Sequence, residues 1–436
     1  MRIRHRAGAL LIALLLAAAG PLWADAGGAA HGVSTFLLTL AAMLVAAKLF
    51  GELAERIGQP AVLGELLAGV LLGSSAFGVI PASGGTADVI AVLAELGVLI
   101  LLFEIGLETD LRQMRRVGGS AAAVASVGVF LPFLAGFLYW RHVPHGMGDP
   151  TTLGTAAIFI GAALTATSVG ITARVLSDLA RLGSTEGRII IGAAVMDDVL
   201  GLVILTVVSG IAAGGGISPI GAAKILLVAV GFLVIAVAVG GWVAPRMFRT
   251  VGRMKVQHAV PVLALAICFA LAAVADLAGS ALIMGAFAAG IVLAKTDQYH
   301  AIEERVRPVG ALLTPIFFVS VGSALDVRLL DPTRPGGSHL LLVALGLTVL
   351  AIVGKVAAGY AAPWAKFKRL AVGVGMVPRG EVGLIFADIG RRSGILTDDA
   401  FGIVLLMVMG TTFVAPPLLK VLFRDVQAPP AAPPSA

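Results

Sequence analysis

Two adjacent carboxylates lie in an otherwise apolar stretch near the middle of the chain. Asp197 and Asp198 fall within GAAVMDDVLGLVILTVV, residues 192–208. Neighbouring residues on an α-helix point about 100° apart, so one carboxylate can face water while the other faces a neighbouring helix. Carboxylate oxygens bind small hard cations and also bind protons, but not both at once. The pair therefore has the chemistry that exchange of a cation for protons requires.

Three further charges lie in apolar segments: Lys355 in AIVGKVAAGY, and Arg379 and Glu381 in GVGMVPRGEVG. A charge at the centre of a bilayer costs about 2.5–3.5 kcal/mol on insertion scales, so charges kept there are usually paired or functional. Lys355 is expected to pair with one of the aspartates. Arg379 and Glu381 are expected to neutralise the ends of interrupted helices or each other, and a structural and a functional role are both open for them.

The composition places these charges in a polytopic membrane protein. Of 436 residues, 58% are hydrophobic and 13% are charged, whereas soluble domains carry about 25% charged residues. The formal charge of +6 fits Lys and Arg gathered in cytoplasmic loops and does not require nucleic acid as a partner. The sequence has neither a phosphate-binding GK[ST] loop nor a nucleophile elbow. It therefore predicts neither an enzyme nor a bound cofactor.

Thirteen membrane spans follow an N-terminal signal peptide in the predicted topology. Residues 1–26 combine a basic start, an apolar run and a final ADA, the pattern of a cleaved signal, with an uncleaved extra helix as the alternative. The new N-terminus is then periplasmic and the C-terminus cytoplasmic. Eighteen Lys and Arg fall in the inner loops and five in the outer loops, in agreement with the positive-inside rule. With roughly 20 apolar residues for each span, the predicted spans are 34–55, 60–80, 87–107, 118–140, 151–177, 187–212, 221–245, 258–276, 279–295, 306–326, 338–362, 369–390 and 399–423.

Three pairs of segments repeat along the chain in the same order. VLGELLAGVLLG (62–73) resembles IMGAFAAGIVLA (283–294), and LLFEIGLETDLR (101–112) resembles FFVSVGSALDVR (317–328). The third pair is TATSVGITARVL (165–176) and PRGEVGLIFADI (378–389). The offsets are 221, 216 and 213 residues. Each step covers seven spans, an odd number, so the two copies are inverted, as in many secondary transporters.

Spans 5 and 12 are predicted to be interrupted helices. Span 5 carries LTATSVG, whose short hydroxyl side chains can satisfy freed backbone groups. Span 12 carries GVGMVPRGEVG, whose glycines and Pro378 disfavour a continuous helix. Paired interruptions of this kind indicate the substrate site of a transporter, near the middle of the membrane. Kinked but unbroken helices are the alternative.

These segments together resemble a family of transporters. MDDVLG (196–201), TATS (165–168), Lys355 and GMVPRGEVGLI (375–385) resemble the monovalent cation:proton antiporters of the second subfamily, in the electrogenic sodium/proton branch related to Kef-type transporters. The likeness covers nearly all of the chain after residue 26. It implies the sodium/proton antiporter fold: an all-α polytopic membrane protein of thirteen transmembrane helices, with inverted repeats and two interrupted helices that cross.

The resemblance also implies a division of the chain into domains. Residues 27–117 and 258–326 would form the dimerisation domain of a homodimer, and residues 221–245 would be a linker helix. Residues 118–212 and 338–424 would form the core, which moves like an elevator to expose its site to one side at a time. Residues 425–436, rich in Pro and Ala, are predicted to be a disordered cytoplasmic tail.

The resemblance assigns roles to individual residues. Asp198 matches the aspartate that binds the cation, transiently Na⁺, or a proton, and Asp197 matches the one that pairs with Lys355. The remaining matched positions lie at the two crossovers and are Thr167, Ser168, Arg379 and Glu381.

Sodium is the favoured cation, and three alternatives stay open. The Asp-Asp pair resembles the electrogenic sodium/proton members, whereas Kef-type potassium systems commonly carry Gln-Asp and often a nucleotide-binding domain. The alternatives are a K⁺/H⁺ antiporter of Kef type, a cation channel and a sensor without flux. A fixed positive charge at Lys355 obstructs a cation pore. The predicted location is the cell inner membrane, in contact with its lipids.

Overall fold

The structure, a computed structural model, describes residues 29–109, 111–143, 153–212, 219–251, 256, 258–334 and 336–426. The predicted signal peptide and residues 427–436 of the predicted tail lie outside these ranges. Every regular element in the described ranges is a helix. This agrees with the all-α fold class that the sequence predicts.

Fifteen α-helices and one short 3-10 helix form the described part of the chain. The 3-10 helix covers Val327–Leu330. The α-helices are α1 (Ala29–Arg56), α2 (Ala61–Leu72), α3 (Gly85–Leu107), α4 (Leu111–His142), α5 (Leu153–Ala163), α6 (Val169–Asp178), α7 (Thr185–Ala212), α8 (Pro219–Val251), α9 (Ala259–Leu277), α10 (Leu282–Leu293), α11 (Tyr299–Ser323), α12 (Gly337–Ala358), α13 (Arg369–Gly375), α14 (Glu381–Arg392) and α15 (Asp398–Leu422).

Eight of the described helices are long and apolar enough to cross a membrane: α1, α3, α4, α8, α9, α11, α12 and α15. Three shorter apolar helices are α2, α5 and α10. The second predicted span, 60–80, is helical only as far as Leu72, because the backbone at Gly73 is extended and turns follow it. The chain is thus a membrane protein with many helices, and the number of thirteen spans stays a prediction.

Both interruptions that the sequence predicts are present. Span 5 consists of α5 and α6, separated by residues 164–168. Span 12 consists of α13 and α14, separated by residues 376–380. These two breaks supply non-helical backbone inside the protein, where it can bind ions or other chain segments.

The chain divides into two compact units. Within the described residues, the first unit comprises residues 29–98 with Ala311–Leu330, and the second comprises Leu99–Gly310 with residues 331–426. Helices α3 and α11 contribute to both units. The predicted division into dimerisation, linker and core domains stays a prediction.

In the second unit, α4 packs against α5, α7 and α12, and α12 also packs against α15. The interrupted helices fit into this group, since α5 packs against α14, and α13 packs against α7 and α15. Small residues allow the close approach. Gly354 of α12 lies against Pro132 of α4, and Gly359 lies against the backbone of Gly373. This packing holds the two breaks next to α7, which carries the aspartate pair.

The internal repeat is visible in equivalent close contacts. α2 and α10 are each 12 residues long, and their bounds are separated by the offset of 221 residues found in the sequence. Each helix has two glycines at which a Cβ atom would collide with the backbone of a neighbouring segment. The partners are themselves equivalent in the repeat. The contact of Gly64 with Phe50 is equivalent to that of Gly285 with Leu271. The contact of Gly69 with Val319 is equivalent to that of Gly290 with Phe103.

Candidate functional site

The first break, between α5 and α6, is stabilised by its own short polar residues. The hydroxyl of Thr165 donates to the carbonyl of Ala162 at 2.7 Å, which satisfies a group at the end of α5. Ser168 precedes α6 in an extended conformation, with φ −78° and ψ 102°. Its backbone N–H donates to the carbonyl of Pro378 at 2.8 Å. The first break is therefore bonded directly to the second.

The second break, between α13 and α14, receives two more hydrogen bonds from the first interrupted helix. The hydroxyl of Thr167 donates to the carbonyl of Met376 at 3.2 Å. The hydroxyl of Thr172 donates to the carbonyl of Gly375 at 2.8 Å. Pro378 has no N–H to continue a helix, and Gly380 is extended, with φ −139° and ψ −154°. The two interrupted helices thus meet at their non-helical segments.

Arg379 is fully buried and binds the backbone around the second break. Its guanidinium donates to the carbonyls of Met376 at 3.2 Å, Val377 at 3.1 Å and Ala351 at 3.3 Å. The hydroxyl of Thr412 in α15 donates to the carbonyl of Arg379 at 2.7 Å. Because a helix carries about half a negative charge at its C-terminus, the guanidinium offsets the end of α13. Arg379 thereby connects α12, α13 and α15.

Asp197 and Lys355 form a buried ion pair between α7 and α12. The Lys355 Nζ lies 3.2 Å from Oδ1 and 3.3 Å from Oδ2 of Asp197. Both side chains have an exposed fraction of 0%. Gly128 of α4 lies beside the lysine, and a Cβ atom there would be in ordinary contact with the ammonium nitrogen at 3.5 Å. The predicted pairing of Lys355 with an aspartate is therefore present, and its partner is Asp197.

Asp198 has a different environment from Asp197. It is partly exposed, whereas Asp197 is buried. The charge of Lys355 interacts electrostatically with both aspartates and with Arg379. Two carboxylates and two cations thus lie close together beside the breaks. One carboxylate is held in the packed interior, and the other faces a more open environment, as expected for adjacent positions on a helix.

The structure brings together most of the predicted site residues. Asp197, Asp198, Lys355 and Arg379 share one electrostatic neighbourhood. Thr167 and Ser168 are buried at the crossing, where they bond to the second break. Glu381 is the first residue of α14, and its side chain lies outside the described part of the structure. Sequence reasoning missed three residues that shape this site, namely Gly128, Thr172 and Thr412.

Comparisons with known proteins give the family of this chain. The sequence profile of the transmembrane region of sodium/hydrogen exchangers matches residues 39–425. The high-affinity Na⁺/H⁺ antiporter NhaS3 of Synechocystis sp. is 41% identical over 425 residues, and the match covers 90% of each chain. The chain therefore belongs to the sodium/hydrogen exchanger family, whose members are transporters rather than enzymes.

Other relatives agree with this assignment. The Na⁺/H⁺-K⁺ antiporter GerN of Bacillus cereus is 34% identical, over 89% of this chain and 96% of its own. The solved structure of the sodium/proton antiporter MjNhaP1 of Methanocaldococcus jannaschii superposes with a TM-score of 0.63 at 17% identity, over 90% of this chain and 96% of its own. The structural match supports the fold alone. None of these relatives is named as a Kef system, so the Kef-type alternative receives no support from them.

Proposed function

We propose that this protein is a secondary active antiporter that exchanges a monovalent cation, Na⁺ first, for protons across the inner membrane. The observation that carries the proposal is the unequal aspartate pair. Asp197 is buried against Lys355 at 3.2 Å, while Asp198 is partly exposed one position later on the same helix. Asp198 is the carboxylate that binds Na⁺ transiently or a proton. Asp197 holds α7 against α12 through its bond to Lys355.

The crossing segments provide further oxygen ligands for the cation. A small hard cation prefers carboxylates, hydroxyls and backbone carbonyls. Thr167 and Ser168 are buried at the crossing and contribute hydroxyl oxygens there. The Thr167 hydroxyl donates its hydrogen to the carbonyl of Met376. The lone pairs of its oxygen therefore stay available to bind the cation. The charges of Arg379 and Glu381 belong to the second crossover, where Arg379 fixes the backbone that surrounds the site.

Transport in this proposal follows an elevator mechanism. The core domain, spans 4–6 and 11–13, moves relative to a dimerisation domain made of spans 1–3 and 8–10 in a homodimer. The hydrogen bonds between the two breaks support this, because they join both interrupted helices into one element that can move as a body. The predicted orientation, with a cytoplasmic C-terminus, is part of the same proposal.

The buried basic side chains favour exchange over the channel alternative. Lys355 and Arg379 are both fully buried beside the aspartates, and fixed positive charge obstructs a cation pore. Potassium is the second candidate cation, because one relative is named as a Na⁺/H⁺-K⁺ antiporter.

The test is cation-driven proton movement in proteoliposomes containing a pH-sensitive dye, with the membrane potential clamped at several values. The wild-type protein should move protons when Na⁺ is added, and the rate should change with voltage, since one elementary charge across 100 mV is worth about 2.3 kcal/mol. Asp198→Asn should abolish this movement. The matched control is Asp276→Asn, which removes an exposed aspartate of α9 and should leave the rate unchanged.

Each outcome of this experiment distinguishes a specific alternative. Proton movement in Asp198→Asn at the wild-type rate would refute the proposed role of Asp198. A larger response to K⁺ than to Na⁺ would reassign the cation. Cation flux without proton movement would indicate a channel, and turnover independent of voltage would indicate electroneutral exchange.

A further inference from the structure

An open apolar groove lies between α8 and α9, outside the group of residues around the aspartate pair. Its volume is about 850 Å³, which is within the range of about 300–1,000 Å³ for small-molecule sites. Every described residue that lines it is apolar, and Phe232, Val239 and Met247 on α8 face Ile267 and Val274 on α9. Such a surface suits a hydrocarbon chain.

Two glycines of α8 explain the shape of the groove. At Gly240 an added Cβ atom would lie 2.7 Å from the side chain of Val292, so α8 packs tightly against α10 at this point. At Gly231 an added Cβ atom would meet nothing within 4 Å. The two positions are nine residues apart, or about 13.5 Å along the helix. α8 therefore approaches α10 closely at Gly240, whereas the groove stays open beside Gly231.

Cations lie at the end of the groove where α8 packs against α10. The Arg246 guanidinium stacks 4.2 Å above the ring of Trp242 and donates to the Trp242 carbonyl at 2.6 Å. The Lys295 ammonium lies 3.6 Å from the Cβ position of Gly241, so it rests against the same turn of α8. Both cations are exposed. Trp side chains are typical of the membrane–water interface.

We propose that this groove binds an anionic phospholipid of the cytoplasmic leaflet. One acyl chain lies along α8 past Gly231, and the phosphate is bound by Arg246 and Lys295. This assignment rests on the orientation in the proposed function, in which this end of α8 is cytoplasmic and anionic lipids give the membrane a negative surface potential. Basic pockets between membrane helices bind lipid head groups, and a guanidinium can donate two parallel hydrogen bonds to one phosphate.

The charge half of the proposal is tested by binding of defined lipids to the delipidated full-length protein, measured by native mass spectrometry. The probes are dioleoylphosphatidylglycerol and dioleoylphosphatidylcholine, which share acyl chains and differ in net charge. Phosphatidylglycerol should bind more tightly. Arg246→Gln and Lys295→Gln should each weaken its binding about fivefold, and the double variant about 25-fold, since each cation near anionic lipid is worth about 1 kcal/mol. Binding of phosphatidylcholine should not change.

Two control variants locate the head group. Lys366→Gln removes an exposed lysine close in sequence to an exposed tryptophan, Trp364, and it lies outside the groove; binding should be unaffected. Lys224 is exposed on α8 near the opposite end of the groove. If Lys224→Gln weakened phosphatidylglycerol binding while the Arg246 and Lys295 variants did not, the head group would be at the wrong end and the proposal would be overturned.

The groove half is tested by filling it. Gly231→Leu places a side chain in the open space of the groove, so it should reduce binding of both lipids at least tenfold. The control is Gly119→Leu, at an exposed glycine of α4 with open space around it, which should leave lipid binding unchanged. If Gly231→Leu instead converted a dimer into monomers with unchanged lipid binding, the groove would be an interface with a second copy. Equal retention of both lipids by every charge variant would also refute the proposal.

Discussion

The ion pair between Asp197 and Lys355 predicts a large and non-additive effect on stability. The perturbation is a double-mutant cycle with Lys355→Met, Asp197→Asn and the combination of the two. Methionine is an unbranched side chain with a volume close to that of lysine and has no charge, and asparagine keeps the shape of the aspartate. Each single variant leaves one buried charge without its hydrogen-bonded partner, while the double variant removes both charges of the pair.

The magnitude follows from the burial of the pair. The two charges lie 3.2 Å apart and neither side chain is exposed. Removing one partner of such a pair costs about 3–5 kcal/mol, whereas replacing both is often close to neutral. The double variant should therefore be more stable than the sum of the single effects by about 3 kcal/mol or more. Independent substitutions would add to within about 0.5 kcal/mol.

The assay is unfolding of the purified protein in mixed micelles with increasing SDS, followed by tryptophan fluorescence. The control cycle uses Glu52 and Arg56, which form a shorter ion pair of 2.8 Å with side chains 55% and 57% exposed. Surface pairs contribute about 0–1 kcal/mol, so Glu52→Gln and Arg56→Met should have little effect. If the Asp197 and Lys355 effects were additive, or no larger than in the control cycle, the reasoning from burial would be wrong.

Two further predictions concern the packing around the breaks. Thr412→Val should lower the free energy of unfolding by about 1–3 kcal/mol and slow exchange, because the carbonyl of Arg379 loses its hydroxyl donor. Thr412→Ser keeps the hydroxyl and should retain both stability and exchange rate. If Thr412→Val changed neither, this hydrogen bond would not have the proposed role. Gly359→Ala should destabilise the protein by about 1–3 kcal/mol, because its Cβ atom would collide with the backbone of Arg369. Gly119→Ala, in open space, should be neutral or slightly stabilising, and equal effects of the two alanines in thermal denaturation would count against this packing.

The elements of this fold that the sequence predicted are those with strong local signals. Gly and Pro around position 378 predict the second interruption because they disfavour a continuous helix. The short hydroxyl residues at 165–168 predict the first because they can satisfy freed backbone groups. The repeat of glycines at an offset of 221 residues also survives in the structure, because those glycines allow contacts that no larger residue permits. Charged residues in apolar segments indicate the site, since few positions in a membrane tolerate a charge.

Other features depend on tertiary packing and leave no local signal. Gly128 matters because α4 places it against the ammonium of Lys355, yet in the sequence it is one of 55 glycines. Thr412 and Thr172 matter because their hydroxyls reach carbonyls of the second break, whereas threonines in apolar helices commonly bond to their own helix. The choice of Asp197 over Asp198 as the partner of Lys355 depends on the rotation of α7. The resemblance to known antiporters assigned it, but spacing alone did not.

In the proposed exchange, a cation and a proton compete for Asp198. The most direct measurement is titration calorimetry of Na⁺ binding to the purified protein at several pH values, in buffers of different ionisation enthalpy that reveal proton release. Competition at Asp198 predicts that Na⁺ binding weakens as the pH falls, that Na⁺ displaces protons where the site is protonated, and that Asp198→Asn binds no Na⁺. Na⁺ affinity independent of pH, with no proton release, would contradict it.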